Sequence, residues 1–245
     1  MNLSLVFAVL LLSGHLVGEF LVQTTRVAEG KRRPKALSIH AVGLYASHWL
    51  LLYPFWSAKL ALGLSVLTLI HLLVDFLRAH RPPTLGLFFA DQVLHLVFLR
   101  LFWMWYVPDA GPLLRAGFTP GGAATFTKIA LLAGVVGLNL RGGDTIVRLL
   151  LARFSSIRDK LQDAAEDMAR TGTLIGMLER LLLLVMVLLS QWGAVGFILT
   201  AKSVARFDRL KKQGFSDYYM IGTLASLLVA VLSGLAAHYV LAYLS

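Results

Sequence analysis

Long apolar stretches recur along the whole chain, separated by short polar or glycine- and proline-containing connections. Several of these stretches approach or exceed the roughly 18–20 residues that an α-helix needs to cross the hydrocarbon core of a bilayer. Helix breakers and charges place eight predicted crossings at residues 3–24, 36–55, 57–78, 85–106, 124–140, 173–190, 191–206 and 217–243. The pattern therefore predicts an all-α, polytopic transmembrane helix bundle.

The two stretches within residues 173–206 are open to two interpretations. Each half is short, and Gln191, Gly193 and Gly196 mark a turn between them. The segment either crosses the bilayer twice or enters and leaves on the same side as a re-entrant hairpin. Both interpretations give the last span the same direction.

Composition supports a membrane protein and excludes several classes of site. Hydrophobic residues make up 58% of the 245 residues and charged residues only 15%, whereas soluble domains have roughly a quarter charged residues. The net charge of +10 comes from basic residues in short connections, which argues against a nucleic-acid-binding stripe. Because the chain has no cysteine, disulfides, thiolate metal sites and cysteine nucleophiles are excluded.

The basic residues also predict an orientation. Most of the 23 lysines and arginines lie in the connections after the first, third, fifth and seventh spans. Cytoplasmic connections carry this excess of positive charge. We therefore expect both termini on the outer side, away from the cytoplasm.

The connections suggest a division of the chain into two halves. A proline- and glycine-containing outer loop at 107–123 separates a four-span half at 1–106 from a second at 124–245. Residues 143–170 are amphipathic and too charged to cross, so they predict a helix on the cytoplasmic surface. That helix could dock a soluble cytoplasmic partner.

Three pairs of ionisable residues lie inside the predicted spans, and each pair has an i,i+4 spacing that puts both side chains on one helix face. They are His15 with Glu19, His71 with Asp75, and Asp91 with His95. Since successive spans run in opposite directions, all three carboxylates fall about 6–10 Å from the cytoplasmic boundary and all three histidines about 12–15 Å. His40, Gln92 and Gln23 lie at similar or shallower depth and could support them.

Buried nitrogen and oxygen ligands of this kind suit a divalent metal, either Zn²⁺, Fe²⁺ or Mn²⁺. Six ligands on three helices are enough for one or two ions, and a metal would neutralise the carboxylates. The same residues could instead form a structural hydrogen-bond network between helices. Proton or cation translocation is a third use of buried histidines and carboxylates.

A second group of charges lies near the cytoplasmic ends of the spans at 173–206. It consists of Glu179, Arg180, Lys202 and Arg206. Glu179 is expected to pair with Lys202 or Arg206, because an unpaired carboxylate at that depth is costly. The three cations could also hold a lipid phosphate.

Several motifs resemble a known bacterial family. They are HLVGEFLVQT near the start, HLLVD in the third span, DQVLH in the fourth, and LERLLLLVMVLLSQWGAVGFILTAKSVARF with DYYMIGTLAS near the end. Together they are similar to the membrane family filed as domain of unknown function 3307 (DUF3307). The resemblance implies a bacterial inner-membrane protein but no activity. The first motif departs from the family in carrying Glu19 where the family has Asp.

Three functions are compatible with these residues. The first is an intramembrane metal-dependent hydrolase acting on a lipid or lipid-linked substrate at the cytoplasmic leaflet. The second is an ion- or proton-coupled transporter, for which broken helices in matching positions of two halves are expected. The third is a non-catalytic scaffold or sensor in which the three pairs, which we call the polar belt, form only a structural network.

Overall fold

The computed structural model describes residues 2–106, 119–154, 165–211 and 215–244. All the regular elements formed by these residues are helices, so the expected all-α class is confirmed. The six helices of the first part are α1 (Leu3–Val17), α2 (Thr25–Glu29), α3 (Pro34–Leu51), α4 (Ala58–Ala79), α5 (Leu85–Tyr106) and α6 (Pro120–Gly137). Those that follow are α7 (Gly143–Leu151), α8 (Ala165–Leu188), α9 (Trp192–Val204), α10 (Phe207–Leu210) and α11 (Phe215–Tyr243).

Short polar residues fix where several of these helices begin. The Asn2 side chain accepts hydrogen bonds from the amides of Ser4 and Leu5 at the start of α1. Ser57 does the same for the amide of Leu60 at the start of α4. These bonds satisfy amides that have no partner inside the helix.

Two helices do not end as ordinary α-helices but widen into a π-helical turn. The first π turn, Gly18–Val22, continues α1, and the second, Leu138–Gly142, continues α6. A π turn shifts the faces on which the following side chains lie, and such turns are frequent at functional sites. Each of these turns carries a buried polar residue, Glu19 in the first and Asn139 in the second.

Within the described ranges, five helical segments are long and apolar enough to cross a membrane. They are Leu3–Val22, Ala58–Ala79, Leu85–Tyr106, Gly121–Phe154 and Phe215–Tyr243. The expected count of eight therefore stays a prediction. Helix α9 has 13 residues and spans about 20 Å, short of the roughly 30 Å of a hydrocarbon core.

Helices α8 and α9 are joined by the turn that the sequence predicts near Gln191. Ser190 has a φ of 57°, and the amide of Gln191 donates to the carbonyl of Met186 at 2.8 Å. The two helices then pack through Leu183, Val187 and Val195. The choice between a re-entrant hairpin and two full crossings stays a prediction.

Two predicted segments fall partly outside the described residues. Of the outer loop at 107–123, residues 107–118 are not described, and 120–123 begin α6. The predicted surface helix at 143–170 contains α7, a 3₁₀ turn at Ala152–Phe154 and the first residues of α8. Residues 155–164, which lie between them, are not described.

Packing divides the chain into two compact units. The first comprises Met1–Leu138 with Leu241–Ser245, and the second Asn139–Val240. Packing thus groups α6 with the first unit, whereas the sequence division placed it in the second half. Helix α6 packs along α1, where a Cβ at Gly134 would lie 3.1 Å from that of Leu16.

Helix α1 is the centre of the first unit and also packs closely against α3. A Cβ at Gly14 would lie 2.9 Å from the His48 ring, and one at Gly18 would lie 2.7 Å from a methyl group of Leu44. Contacts this short are not found between real side chains, so both positions require glycine at this helix spacing. The close approach places the π turn of α1 beside α3.

Candidate metal centre

Four side chains from three segments meet in the interior of the first unit. Glu19 comes from the first π turn, His40 from α3, and His71 and Asp75 from successive turns of α4. All four are buried. We call these four residues the cradle.

The donor atoms of the cradle lie unusually close together. The Nε2 atom of His40 is 3.1 Å from Glu19 Oε2, 3.1 Å from Asp75 Oδ2 and 3.1 Å from His71 Nε2. His71 Nε2 is 3.4 Å from Glu19 Oε2 and 3.3 Å from Asp75 Oδ2. Two imidazole Nε2 atoms can bring at most two protons to these five contacts, so hydrogen bonds alone do not account for the arrangement.

The cradle fits a tetrahedral divalent ion. Metal–ligand distances of 2.0–2.2 Å, as found for Zn²⁺ with histidine and carboxylate ligands, give donor separations of about 3.3–3.6 Å along the edges of a tetrahedron. The five separations in the cradle, 3.1 to 3.4 Å, agree with these within a few tenths of an ångström. Two imidazole nitrogens and two carboxylate oxygens are also a donor set suited to Zn²⁺, Fe²⁺ or Mn²⁺.

Lys31 closes one end of the cradle. Its Nζ lies 2.8 Å from Asp75 Oδ2 and 3.2 Å from Glu19 Oε1, and the residue is 7% exposed. Burial lowers the pKa of Lys31, but the carboxylates of Glu19 and Asp75 outweigh burial and raise it above its usual value. The ammonium is therefore charged and offsets one of the two carboxylates.

A third carboxylate, Asp91 of α5, extends the polar region beside the cradle. Its Oδ2 accepts a hydrogen bond from Gln92 Nε2 at 3.1 Å and lies 3.8 Å from Arg78 Nε. His95 Nδ1 is 3.9 Å from the same oxygen. Donor atoms of Asp75, Asp91 and His95 all lie within 4.8 Å of one another, which is close enough for a second ion that shares Asp75 with the cradle.

Three imidazoles pack together on the other side of His71. The rings of His71 and His95 are stacked with their centroids 3.9 Å apart, and the His15 ring lies 5.5 Å from His71 and 5.3 Å from His95. Neither nitrogen of His15 or His95 has a hydrogen-bond partner within the part of the chain that the structure describes. Buried polar atoms of this kind are rare unless they serve a ligand or an ordered water.

A small void lies between these rings. It has a volume of about 10 Å³ and is lined by the imidazoles of His15, His48, His71 and His95 together with Thr68 and apolar side chains. That volume is close to the minimum for one water molecule, and the polar lining supplies hydrogen-bond partners for it. We call it the histidine void.

The structure brings the residues of the predicted belt together but arranges them differently from the prediction. Glu19, His71 and Asp75 are in the cradle, whereas His15 borders the histidine void, and Asp91 and His95 lie beside the cradle. His40, expected to support the ligands, is in direct contact with them. Gln92 supports Asp91 as expected, and Gln23 is half-buried just after the π turn. Their role as ligands stays a prediction.

Sequence reasoning missed Lys31. It lies within a run of basic residues between α2 and α3, and that run was interpreted only as a topological signal. Nothing in the local sequence separates a lysine that turns inward from its neighbours that remain exposed. The useful signal would have been a count of buried charges, since three carboxylates within the spans require compensating cations.

The predicted charged group of the second unit is also present, in two separate arrangements. Lys202 Nζ contacts Glu179 Oε2 as an ion pair, which confirms the expected partner of Glu179. Lys202 and Arg206 both lie 5.4 Å from the centroid of the Tyr219 ring. Arg180 is instead buried away from solvent.

The guanidinium of Arg180 is bound by neutral oxygens. Its Nε donates to the carbonyl of Asn139 at 2.7 Å, Nη1 to Ser226 Oγ at 3.0 Å and Nη2 to the carbonyl of Leu140 at 3.4 Å. Both carbonyls belong to the second π turn. Arg180 therefore caps that turn, which makes it a poor candidate for holding a lipid phosphate.

Comparison with known proteins confirms the family resemblance over part of the chain. Residues 6–113 match the family described as "Protein of unknown function (DUF3307)". The range includes every residue of the cradle, together with Lys31, Asp91 and His95, whereas the motifs near the end of the chain lie outside it. No curated protein and no solved structure matches the chain.

Proposed function

Since the family matched by residues 6–113 has no assigned activity, we propose a function from the geometry: an intramembrane metal-dependent hydrolase that acts on a lipid or lipid-linked substrate. The observation that carries the proposal is the cradle. Four donor atoms, one each from Glu19, His40, His71 and Asp75, lie within 4.8 Å of one another, close enough to bind one ion. Three of these residues, Glu19, His71 and Asp75, lie in helical segments apolar enough to cross a membrane, which favours a substrate that is itself held in the bilayer.

The residues around the cradle supply the other requirements of hydrolysis. Because the cradle already supplies four donors, a divalent ion there would need a fifth coordination position, at which it would polarise an ester or phosphate oxygen or make a bound water more acidic. The histidine void is large enough for one water, and the nitrogens of His15 and His95 can hold that water and accept a proton from it. Asp91 and His95 provide donors for a second ion, as in hydrolases with two metals.

Charge and topology support the cytoplasmic leaflet as the place of reaction. The cradle lies near the ends of the helices that adjoin two basic connections. The one from α1 to α3 contains Lys31, Arg32 and Arg33, and the one from α4 to α5 contains Arg81, with Arg78 in the last turn of α4. Basic connections are typical of the cytoplasmic side. A substrate head group would then approach the cradle from that side.

Metal content is the direct test of the proposal. We expect the purified full-length protein, loaded with Zn²⁺ and passed through a desalting column, to retain one or two ions per chain by elemental mass spectrometry. His40→Ala or His71→Ala should reduce this number, because each removes a donor from the cradle. The matched control is His80→Ala, which removes an exposed histidine that bonds only its own helix at the Phe76 carbonyl.

A hydrolysis assay then separates an enzyme from a metal-binding structural protein. Metal-loaded protein is incubated with phospholipid and lipid-linked phosphate substrates, and products are followed by liquid chromatography and mass spectrometry. Product that forms with wild-type protein but not with His40→Ala or chelated protein supports the proposal. Wild-type protein that retains no metal, or that retains it without any turnover, contradicts it.

A transporter is the second candidate, and the π turns favour it. Helices α1 and α6 each continue into a π turn bearing a buried polar residue, which is the kind of helix interruption expected at an ion-coupled site. Proteoliposome assays distinguish the two functions. Uptake of Zn²⁺ or Mn²⁺ that depends on Asp75, without substrate cleavage, would replace the hydrolase by a carrier.

A further inference from the structure

Two cations next to the cradle, Lys31 and Arg78, make different contacts from the basic residues near them in the sequence. Lys31 and Arg78 turn towards the buried carboxylates, Lys31 to Glu19 and Asp75 and Arg78 to Asp91. By contrast, Arg32 bonds the carbonyl of Ala79 at the end of α4, and Arg81 is exposed. The charges of Lys31 and Arg78 therefore contribute to the charge balance of the site.

The charge balance of the site changes when a metal enters. The three carboxylates of Glu19, Asp75 and Asp91 and the two cations Lys31 and Arg78 together carry one negative charge. One divalent ion converts this into one positive charge. A net charge buried among apolar helices is costly unless a counter-ion compensates it, so a loaded site favours an anionic partner over a neutral one.

We propose that the metal-loaded site recognises the phosphate group of its substrate, with Lys31 and Arg78 as the residues that bind it. This inference rests on the proposed metal site and names the substrate class that the site accepts. Carboxylic esters of neutral lipids are thereby excluded as preferred substrates.

The side chains retain the donors that phosphate binding requires. The Lys31 ammonium has three N–H groups, of which two point to Glu19 and Asp75. The Arg78 side chain is 29% exposed, and its Nε is buried 3.8 Å from Asp91 Oδ2 without a hydrogen-bond partner in the described residues. The guanidinium therefore lies near the carboxylate and keeps a donor for phosphate. A planar guanidinium and an ammonium are the two cations that proteins use most for phosphate.

The same arrangement explains why the two cations are held by carboxylates in the absence of metal. Glu19, Asp75 and Asp91 attract Lys31 and Arg78 until a divalent ion takes over that negative charge. The attraction on each cation then weakens, and its charge becomes available for phosphate. Metal binding is therefore required before phosphate binding.

Binding of two lipids with the same acyl chains tests whether metal must bind first and whether the site prefers a phosphate group. The full-length zinc-loaded protein is titrated with phosphatidic acid or with diacylglycerol of the same acyl chains, and complexes are measured by native mass spectrometry. We expect phosphatidic acid to bind at least about tenfold more tightly, the scale of a hydrogen bond to a charged group. Chelated protein should lose this preference.

Two variants and one control assign the effect to the site. Arg78→Met and Lys31→Met each leave the loaded site neutral and should weaken phosphatidic acid binding about tenfold, with zinc content unchanged in Arg78→Met. Arg81→Met removes an equal charge three residues after Arg78, at an exposed position just beyond α4, without changing the site, and the affinity of this variant should stay near that of wild type.

The outcomes separate this inference from the proposed function. Inorganic phosphate that competes with phosphatidic acid identifies phosphate itself as the recognised group, whereas absence of competition assigns recognition to phosphate on a lipid. Normal zinc content with equal binding of the two lipids, or with no effect of Arg78→Met, overturns the inference and leaves the metal site standing. A chain that takes up no zinc overturns the proposed function and this inference with it.

Discussion

The two π turns place buried polar residues in opposite situations. In the second unit, Arg180 donates to Asn139, Leu140 and Ser226, so the chain satisfies its own buried cation. In the first unit, Glu19 shares its neighbourhood with two histidines and Asp75 at distances that hydrogen bonds alone do not explain. A π turn thus supports helix packing in the second unit and, we infer, ligand binding in the first.

The first unit also retains buried polar atoms that have no hydrogen-bond partner in the described residues. His15 and His95 each leave both ring nitrogens without a partner in the described part of the chain, although both residues are almost completely buried. Each such atom costs about 1–3 kcal/mol. A protein that only needed to join helices would have little reason to retain these imidazoles, because apolar side chains would fill the same space at lower cost.

Metal should stabilise the cradle of the first unit and leave the Arg180 contacts of the second unit unaffected. A ligand that binds only the folded state at a thousandfold excess over its Kd adds about 4 kcal/mol to the free energy of unfolding. We expect Zn²⁺ to raise the thermal midpoint of wild-type protein accordingly in detergent, and His40→Ala to abolish the shift. Arg180→Met should retain the full shift, and loss of the shift in that variant would mean that the two arrangements are coupled.

Removing Arg180 should destabilise the metal-free protein by about 1–3 kcal/mol, because its acceptors in the second π turn lose their donors inside the protein. The measurement is a denaturation midpoint, with Arg148→Met as the control because Arg148 is exposed on α7. Equal midpoints for the two variants would show that the Arg180 contacts do not stabilise the fold. Zinc content should be the same in both.

His15→Leu should change the free energy of unfolding of the metal-free protein least, and it should increase that free energy where Arg180→Met decreases it. The substitution removes two buried nitrogens that have no partner in the described residues and keeps a side chain of similar volume, so we expect no loss and a gain of up to about 1 kcal/mol. Unfolding measurements with chelator present provide the test. A loss of more than about 1 kcal/mol would show that His15 already has a structural role without metal.

Much of the site was predictable because helical periodicity is regular. The i,i+4 spacings of His71 with Asp75 and of Asp91 with His95 hold in α4 and α5, which are continuous α-helices. Antiparallel packing of neighbouring helices then brought the pairs to a common level. These steps require only the rise per residue and the alternation of direction.

The π turn is what the sequence could not reveal. The i,i+4 relation assumed for His15 and Glu19 ends where α1 widens at Gly18, and a π turn rotates Glu19 relative to His15. Glu19 consequently joins His40 and Lys31, while His15 remains with His95. Neither the extra residue in the π turn nor the burial of the Lys31 side chain can be recognised from the hydropathy or charge pattern of the sequence.

Glycines that touch no donor atom set the distance across the cradle. Gly14 and Gly18 allow α1 to lie against His48 and Leu44 of α3, and this spacing brings Glu19 within 3.1 Å of His40. For protein design, this means that transplanting the four cradle side chains onto another helix bundle copies the ligand set but not its dimensions. A bundle with alanine at the two glycine positions would hold the same ligands too far apart to share one ion.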